Sequence, residues 1–244
     1  MAPRTPGEFC WINLLTPNVE EAKAFYAAVL GWTYGEIPGM GWSILANGGG
    51  AVGGLFDAKE HAPQLGVMVR VESTDATVTK VRAAGGQAMD PFDIGPNGRM
   101  SVCHDPNGAQ VDLWQPLGKP GMEVDSRTPG APTWFENETT DPARAAKFYA
   151  DVFGWTTEAM PHDYTVFQLG ARNVGGMQKI GAGSASGKPH WATYVTVSSA
   201  AKAVAETERL GGTIRRPIHD VEGVGQSASL TSPQGVPFAV IEYA

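Results

Sequence analysis

A glutamate and a histidine in the second half of the chain, Glu136 and His190, are the residues best suited to chemistry. A carboxylate and an imidazole can work together as an acid–base pair, and both can also ligate a divalent metal ion. The structural alternative is a histidine at the rim of a site and a glutamate held by hydrogen bonds. We predict Glu136 and His190 as candidate catalytic residues and keep the structural alternative open.

The elements that must position these residues come from an internal duplication. The run Phe25–Trp32 (FYAAVLGW) returns as Phe148–Trp155 (FYADVFGW), and the offset is 148 − 25 = 123 residues, about half of the 244-residue chain. In each copy an aromatic pair lies near the end of a predicted helix, a glycine ends the helix, and a tryptophan starts the next strand. A fixed internal period of this kind predicts two similar units in tandem.

Each half is predicted to contain the order β-α-β-β-β twice. In the first half the strand Phe9–Leu15 precedes a helix that has Asn18 as its N-cap and Gly31 at its end. A second helix is predicted to be capped by Thr74 or Asp75. Three strands are predicted after that second helix, at Gln87–Ile94, Met100–His104 and Ala109–Gln115.

Prolines and glycines interrupt this pattern between the two halves, in the run from Pro116 to Pro132. We predict a first domain over residues 1–117, an ordered or semi-rigid linker over 118–131 and a second domain over 132–244. Domains of about 120 residues are each long enough to bury a core of their own.

The two Phe-Tyr…Gly-Trp runs and the turn Asp105–Gly108 (DPNG), which precedes a strand, resemble the vicinal oxygen chelate superfamily. That superfamily includes glyoxalase I, bleomycin-resistance proteins and extradiol dioxygenases, and its tandem two-domain actinobacterial members are similar to the whole chain. The resemblance implies an α+β fold of two tandem glyoxalase-like domains. In each domain, paired βαβββ modules would form a curved open sheet around a cleft.

The resemblance also implies a divalent metal ion held by three strand positions in a cleft. These positions fall on Trp11, Gly66 and Asp112 in the first half and on Trp134, Ala192 and Ala239 in the second. Imidazole and carboxylate groups are what such a site requires, and only Asp112 supplies one. We therefore predict no metal ion and no other cofactor, with a divalent metal as the alternative if the ligands lie elsewhere.

Neighbours of these positions on the same strand faces give the predicted ligand-binding residues. The first cleft would be lined by Trp11, Asn13, Gln64, Met68, Asp112 and Trp114, and the second by Trp134, Glu136, His190, Tyr194, Ser227 and Ser229. The second cleft combines aromatic faces with convergent polar groups, so we expect it to be the functional one. Trp11 and Trp134 can each stack on a planar ligand or pack the core, and both interpretations stay open.

Composition and charge narrow the classes of partner. The net charge of −7 and the lack of a basic stripe argue against nucleic acid. No apolar run has the length of a membrane span, and the N-terminus lacks the apolar segment of an export signal. The two cysteines, Cys10 and Cys103, are predicted to be buried and reduced. We expect a cytoplasmic monomer or homodimer whose partner is a small molecule.

Three functions fit these observations. The first is a metal-free binding protein of the bleomycin-resistance kind, which would hold an aromatic or polycyclic compound in natural-product resistance or biosynthesis. The second is a lyase, isomerase or hydroxylase-like enzyme that uses Glu136, His190 and the serines, without the usual metal or with a relocated one. The third is a glyoxalase or dioxygenase whose metal ligands lie at other positions. Fold alone does not decide among them, and we favour the first.

Overall fold

Each half of the chain contributes two helices and a series of strands to the computed structural model, which describes residues 4–37, 41–181 and 187–244. The first half contains β1 (Phe9–Thr16), α1 (Val19–Leu30), β2 (Thr33–Ile37), β3 (Gly41–Leu45), β4 (Ala51–Asp57), β5 (Gln64–Arg70), α2 (Thr74–Ala83), β6 (Gln87–Ala88), β7 (Phe92–Ile94), β8 (Gly98–Ser101), β9 (Cys103–His104) and β10 (Asp112–Pro116). The second half contains β11 (Pro132–Thr139), α3 (Pro142–Phe153), β12 (Thr156–Met160), β13 (Tyr164–Leu169), β14 (Arg172–Lys179), β15 (His190–Thr196), α4 (Ala200–Arg209), β16 (Thr213–Val221), β17 (Gly225–Thr231) and β18 (Pro237–Tyr243).

Within the described residues, the strands other than β6 and β9 form two separate eight-stranded sheets of the same topology. The first has the order β2-β3-β4-β1-β5-β10-β8-β7 and the second the order β12-β13-β14-β11-β15-β18-β17-β16. In each sheet the two modules meet through their first strands, which run antiparallel. The predicted α+β fold of two tandem domains, each a curled sheet with helices, is confirmed.

The strands predicted at Gln87–Ile94 and Met100–His104, after the second helix, are wrong in detail. The first divides into β6 and β7 and the second into β8 and β9, and β6 pairs with β9 in a small sheet of its own. Pro91 lies at the first interruption, where it has no N–H to donate to a sheet. In the second half the strand β16 stays continuous, and Pro217 falls where its register with β17 is irregular.

The four helices are short and capped by side chains. Asn18 is confirmed as an N-cap, since its side chain accepts a hydrogen bond from the backbone N–H of Glu21 (3.3 Å). Gly31 ends the first helix at a φ of 72°, as predicted. The second helix is capped by Ser73, one residue before the predicted positions. No helix in the described part of the chain is long and apolar enough to cross a membrane.

The helices and the backs of both sheets share one hydrophobic core. Ile12 and Leu14 of β1 lie in this core and are fully buried, whereas Trp11 and Asn13 alternate onto the concave face. Helix α1 packs against α4, and α2 packs against α3, so the core continues across the junction between the halves. Both cysteines are buried and neither forms a disulfide, as predicted.

A reciprocal pair of hydrogen bonds, here called the interdomain latch, joins the two domains. The indole N–H of Trp32 donates to the carbonyl of Gly130 (2.7 Å), and the indole N–H of Trp155 donates to the carbonyl of Gly7 (2.8 Å). Each glycine ends an Arg-Thr-Pro-Gly segment, at residues 4–7 and 127–130. The segments repeat with the same offset of 123 as the Phe-Tyr runs, which is the sequence signal for the latch.

The turn Asp105–Gly108 of the first domain docks onto the second domain. The buried Asp105 carboxylate accepts hydrogen bonds from the backbone N–H groups of residues 107–109 (2.8–2.9 Å) and from the hydroxyl of Tyr149 (2.9 Å). The Asn107 amide donates to the carbonyl of Asp141 (3.0 Å). Tyr149 belongs to the second Phe-Tyr run. The Asp105–Gly108 turn and this run, two motifs on which the family resemblance rests, therefore meet at the domain junction.

Loss of either latch bond should weaken the protein measurably. Trp32→Phe or Trp155→Phe leaves a buried carbonyl without its donor, so each should lower the free energy of unfolding by about 1–2 kcal/mol. Urea unfolding measures this change. Trp42→Phe is the matched control, because Trp42 is outside the latch. Equal unfolding midpoints for all three variants would mean that the latch contributes no stability.

Candidate functional site

The concave face of the second sheet, here called the second cleft, brings several polar side chains together. Along β11 the side chains alternate, so Trp134, Glu136 and Glu138 face the cleft. Phe135 and Asn137 face the other way, where Phe135 joins the hydrophobic core and Asn137 donates to the hydroxyl of Tyr149.

Glu136 lies at the centre of the second cleft and is only 5% exposed. Its Oε1 accepts hydrogen bonds from the amide of Gln178 (2.8 Å) and the hydroxyl of Tyr194 (3.2 Å). The hydroxyl of Tyr164 is a further partner and itself accepts from the indole N–H of Trp134 (2.9 Å). Burial raises the pKa of Glu136 to about 7, although the hydroxyl donors oppose the rise. The carboxyl group therefore changes its protonation near neutral pH.

Tyr164 lies across strand β14 at Gly176. A Cβ atom at residue 176 would overlap the hydroxyl and Cζ of Tyr164, so glycine is required for the ring to rest there. Tyr164 is the first residue of β13 and pairs with Gln178 in the sheet. Gly176 is thus what allows the Tyr164 hydroxyl to reach both Trp134 and Glu136.

The predicted pair Glu136 and His190 does not sit in direct register. His190 pairs with Glu138 across β11 and β15, whereas Glu136 pairs with Ala192. His190 Nδ1 lies 3.0 Å from the carbonyl oxygen of Lys188. The carboxylate that faces His190 in register is therefore Glu138, which is 8% exposed.

The two predicted serines differ in what they offer the second cleft. Ser227 is 1% exposed and its hydroxyl donates to the carbonyl of Val240 (3.0 Å), so it is committed to the sheet rather than to a ligand. Ser229 is half-buried and pairs with Arg216. The positive charge of Arg216 acts on Glu136, so Arg216 belongs to the electrostatic surroundings of the site.

The concave face of the first sheet, the first cleft, is filled by apolar side chains at one end. Cys10, Met68 and Trp114 are buried there, with Trp11, Ile94 and Met100 packed against them. The predicted linker runs over this cluster: the indole of Trp114 donates to the carbonyl of Lys119 (2.9 Å), and the Lys119 ammonium lies 5.2 Å from the ring centroid of Trp11. This end of the first cleft is thus occupied by the protein's own residues.

The other end of the first cleft is a chain of amides that ends on a buried carboxyl group. The Gln64 amide donates to Gln110 (3.2 Å), and the Gln110 amide donates to Asp112 (3.0 Å). The Asn13 amide donates to the sulfur of Met68 (3.3 Å). Burial raises the pKa of Asp112 to about 7. The predicted residues of this cleft are close together, but they bond mainly to one another.

The residues in neither cleft fit the divalent metal ion that the resemblance implies. Cross-strand neighbours form the rows Trp11, Met68 and Asp112 in the first sheet and Trp134, Tyr194 and Ala239 in the second. Neither row offers more than one carboxylate, and an indole cannot ligate a metal. Within residues 4–37, 41–181 and 187–244, no three His, Cys, Asp or Glu side chains are grouped as metal ligands.

Two surface cavities lie near the Arg-Thr-Pro-Gly segments, and Glu136 lines neither of them. The smaller, about 140 Å³, is lined by residues that include Arg4 and Trp134, and the larger, about 360 Å³, by residues that include Arg127 and Tyr243. The Arg127 guanidinium lies 3.5 Å from the ring centroid of Tyr243. Each cavity is lined by the arginine of one Arg-Thr-Pro-Gly segment, and neither is lined by the tryptophans or glycines of the latch.

Comparison with known families agrees with this architecture. A family model described as the glyoxalase-like domain matches the chain twice, over residues 11–114 and 134–241. The chain belongs to the glyoxalase-like family. The two matches of this glyoxalase-like protein coincide with its two eight-stranded sheets.

Relatives with known sequences or structures extend this finding. "Putative glyoxylase CFP32" of Mycobacterium tuberculosis is 35% identical over 247 residues, which covers 95% of this chain and 93% of that protein. "Anthracycline biosynthesis protein DnrV" of Streptomyces peucetius is 28% identical over 128 residues, 46% of each chain. The Mn(II)-bound glyoxalase from Novosphingobium aromaticivorans superposes with a TM-score of 0.70 at 16% identity, over 97% of this chain and 82% of that one. The 2,3-dioxygenase LapB from Pseudomonas sp. KL28 has a TM-score of 0.68 at 13% identity, over 99% and 93%. These two structural likenesses show the fold alone.

Four residues of the second cleft were not predicted from the sequence: Glu138, Tyr164, Gln178 and Arg216. Tyr164 and Gln178 lie on β13 and β14, outside the strands that the resemblance pointed to. The sequence holds one signal for Gln178. The run VGGMQ at residues 174–178 aligns with VGGLF at 52–56, so Gln178 takes the place of the apolar Phe56. A polar residue in one copy and an aromatic one in the other marks a position where the two clefts differ.

Proposed function

We propose that this glyoxalase-like protein binds a small aromatic or polycyclic molecule in the second cleft without a metal ion. The observation that carries the proposal is the network around Glu136, in which Gln178, Tyr164 and Tyr194 converge on one carboxyl group beside the indole of Trp134. Specific small-molecule sites combine aromatic contact surface with a few placed polar groups, and this network supplies both.

The contrast with the first cleft supports this choice. There the apolar side chains pack on one another under the segment that contains Lys119, and the amides bond to one another. A ligand in that cleft would have to displace the protein's own contacts before making new ones. The second cleft places Trp134, Gln178, Tyr164 and Tyr194 around the carboxyl group of Glu136, which favours recognition of a ligand.

The names of relatives support an aromatic ligand. Two proteins that are similar over about half of this chain are named anthracycline biosynthesis proteins, DauV of a Streptomyces species and DnrV of Streptomyces peucetius. Anthracyclines are fused-ring aromatic compounds with phenolic hydroxyls. A role in the biosynthesis of such a natural product, or in resistance to one, follows as part of the proposal.

A second candidate function is metal-free proton transfer on the bound molecule, as in an isomerase or lyase. One observation favours it: the pKa of Glu136 lies at about 7, close to the value at which a general acid–base group works best near neutral pH. In this function Glu136 would take a proton from an acidic C–H bond of the ligand, while Tyr164 and Tyr194 hold the carboxyl group in place.

Removal of the indole from the second cleft should weaken ligand binding. Trp134→Ala removes a stacking surface, so the Kd for a tricyclic probe such as alizarin, a dihydroxyanthraquinone, should rise by about 2- to 10-fold or more. Titration followed by tryptophan fluorescence measures the change. Trp11→Ala is the matched control in the first cleft and should leave the Kd unchanged.

The outcomes of this titration separate the alternatives. A loss of binding in Trp11→Ala alone would place the site in the first cleft and overturn the assignment. Wild-type and Glu136→Gln proteins incubated in D₂O with a hydroxyaryl ketone test the second function. Faster loss of the ketone's α-proton signal with wild type than with the variant is the result that proton transfer predicts.

A further inference from the structure

Tyr164 occupies the second cleft in the manner of a bound ligand. Its ring rests on Gly176, where a Cβ atom would overlap the hydroxyl, so the ring lies directly on the floor of the sheet. Its hydroxyl accepts a hydrogen bond from the indole N–H of Trp134 (2.9 Å) and makes another with Glu136. A phenol placed in the same space would find one donor, one acceptor and a flat support without further rearrangement.

Tyr164 is the first residue of β13 and lies next to a hairpin turn at the edge of the sheet. Tyr164 directly follows the turn between β12 and β13, in which His162 and Asp163 adopt φ values of 63° and 56°. Two successive non-glycine residues in the left-handed region store strain. Strand β12 is the edge strand, and all its residues are exposed. Val166 and Phe167 of the same strand are buried and hold β13 in the core. Outward movement of the Tyr164 side chain therefore requires adjustment of the turn and of the end of β13, while the buried part of the strand stays in place.

The corresponding place in the first cleft has no phenolic occupant. Gly54 takes the position of Gly176, and a Cβ there would meet the ring of Phe56 and, at 3.1 Å, the Oδ1 of Asn13. Phe56 lies two residues along the same strand, so it is held by the strand itself rather than by a neighbouring hairpin. A space over a glycine that is filled by a phenol ring from a neighbouring strand, here called the socket, is therefore found in the second domain and not at the equivalent place in the first.

We propose that the space over Gly176 is a hydroxyaryl subsite that Tyr164 fills until a ligand arrives. The phenolic ring of the ligand replaces the Tyr164 ring, and its hydroxyl accepts from Trp134 and donates to Glu136. This inference rests on the proposed function and narrows it, since it requires at least one phenolic hydroxyl on the ligand. Tyr164 then acts as an internal competitor that sets specificity for hydroxylated over bare aromatic rings.

Removal of the Tyr164 side chain tests the subsite with a simple probe. Tyr164→Gly opens the socket, so the variant should bind phenol about tenfold more tightly than wild type does and should discriminate phenol from toluene by a similar factor. Ligand-observed NMR measures both. Tyr164→Phe is the matched control: its ring still fills the socket, so it should gain no phenol binding. Far-UV circular dichroism confirms that each variant is folded, and Tyr164→Ala repeats the test if Tyr164→Gly is not.

The results separate this inference from the proposed function. Equal binding of phenol and toluene by the opened variant, or binding of neither, overturns the hydroxyaryl subsite. If alizarin still binds wild type in a Trp134-dependent way, the proposed function survives that failure. In the opposite case, phenol binds the opened variant while wild type binds no tricyclic probe; the subsite then stands and the polycyclic ligand is wrong. Tighter binding of alizarin than of anthraquinone by wild type is the further result expected.

Discussion

Replacement of Asp105 by alanine is expected to lower the free energy of unfolding by about 3–5 kcal/mol, because it leaves several hydrogen-bond donors at the domain junction without their acceptor. The Asp105 carboxylate accepts hydrogen bonds from three backbone N–H groups of its own turn and from the hydroxyl of Tyr149 in the other domain. The Tyr149 oxygen accepts a hydrogen bond from the indole N–H of Trp191 (2.9 Å). The Tyr149 hydroxyl proton is donated to Asp105, so the variant leaves this buried donor without an acceptor. Urea unfolding of the variant measures the loss.

The second domain supplies a matched control for this prediction. Ser232 takes the place of Asp105 in the second turn, where its hydroxyl accepts from the backbone N–H of Val236 (3.2 Å). Tyr26 lies beside Ser232 but forms no hydrogen bond of good geometry within the described residues. Ser232→Ala should therefore cost only about 1 kcal/mol. Comparable losses for the two variants would show that the charge of Asp105 adds nothing to the junction.

Stability should fall as pH rises from about 4 to 7, because burial raises the pKa of one carboxyl group in each cleft. Burial raises the pKa of both Glu136 and Asp112 to about 7, whereas unfolded Glu and Asp titrate near 4. Between these values the folded state holds more protons than the unfolded state, so its advantage is complete below pH 4 and is lost as pH rises through 7. Each group should cost about 3–4 kcal/mol at pH 8.

The double variant Glu136→Gln and Asp112→Asn should remove this pH dependence. Its unfolding midpoint in urea should match that of wild type near pH 4 and exceed it at pH 8, since neutral amides need no deprotonation. Asp75→Asn is a control of opposite sign, because the hydrogen bond from Arg99 lowers the pKa of Asp75. Wild-type and double-variant midpoints that change in parallel from pH 4 to 8 would contradict the buried-carboxyl account.

The sequence was most informative about features that repeat locally. The runs at Phe25–Trp32 and Phe148–Trp155 predicted the tandem fold, and the cap at Asn18 and the glycine at Gly31 were read correctly because capping depends on adjacent residues. The division into β6 and β7 at Pro91 was not predicted, because proline does not always end a strand. Pro217 lies within the continuous strand β16, at a point where the register with β17 is irregular. Whether a proline interrupts a strand depends on how that strand pairs with its neighbours, and the local sequence does not reveal this pairing.

The site was harder to predict because its key contacts join distant strands. Glu136 and Tyr194 were identified from the strand positions that the resemblance supplied, yet the support from Tyr164 depends on the missing side chain at Gly176. Only the register of β13 on β14 shows that the Tyr164 ring lies over Gly176. Ser227 shows a second limit, since the sequence does not reveal that its hydroxyl donates to the carbonyl of Val240 in the neighbouring strand.

The interdomain latch has the form of an isologous contact, in which each partner offers the same surface to the other. Trp32 bonds to the Arg-Thr-Pro-Gly segment that precedes the second domain, and Trp155 bonds to the segment that precedes the first strand of the first domain. The two subunits of a two-fold dimer exchange contacts in the same way. Each domain, taken together with the segment that precedes its first strand, carries both sides of this contact: one tryptophan and one Arg-Thr-Pro-Gly segment. The covalent connection fixes which two surfaces meet, and it leaves the two clefts able to differ: one closed by apolar packing, the other built around a titratable carboxyl group.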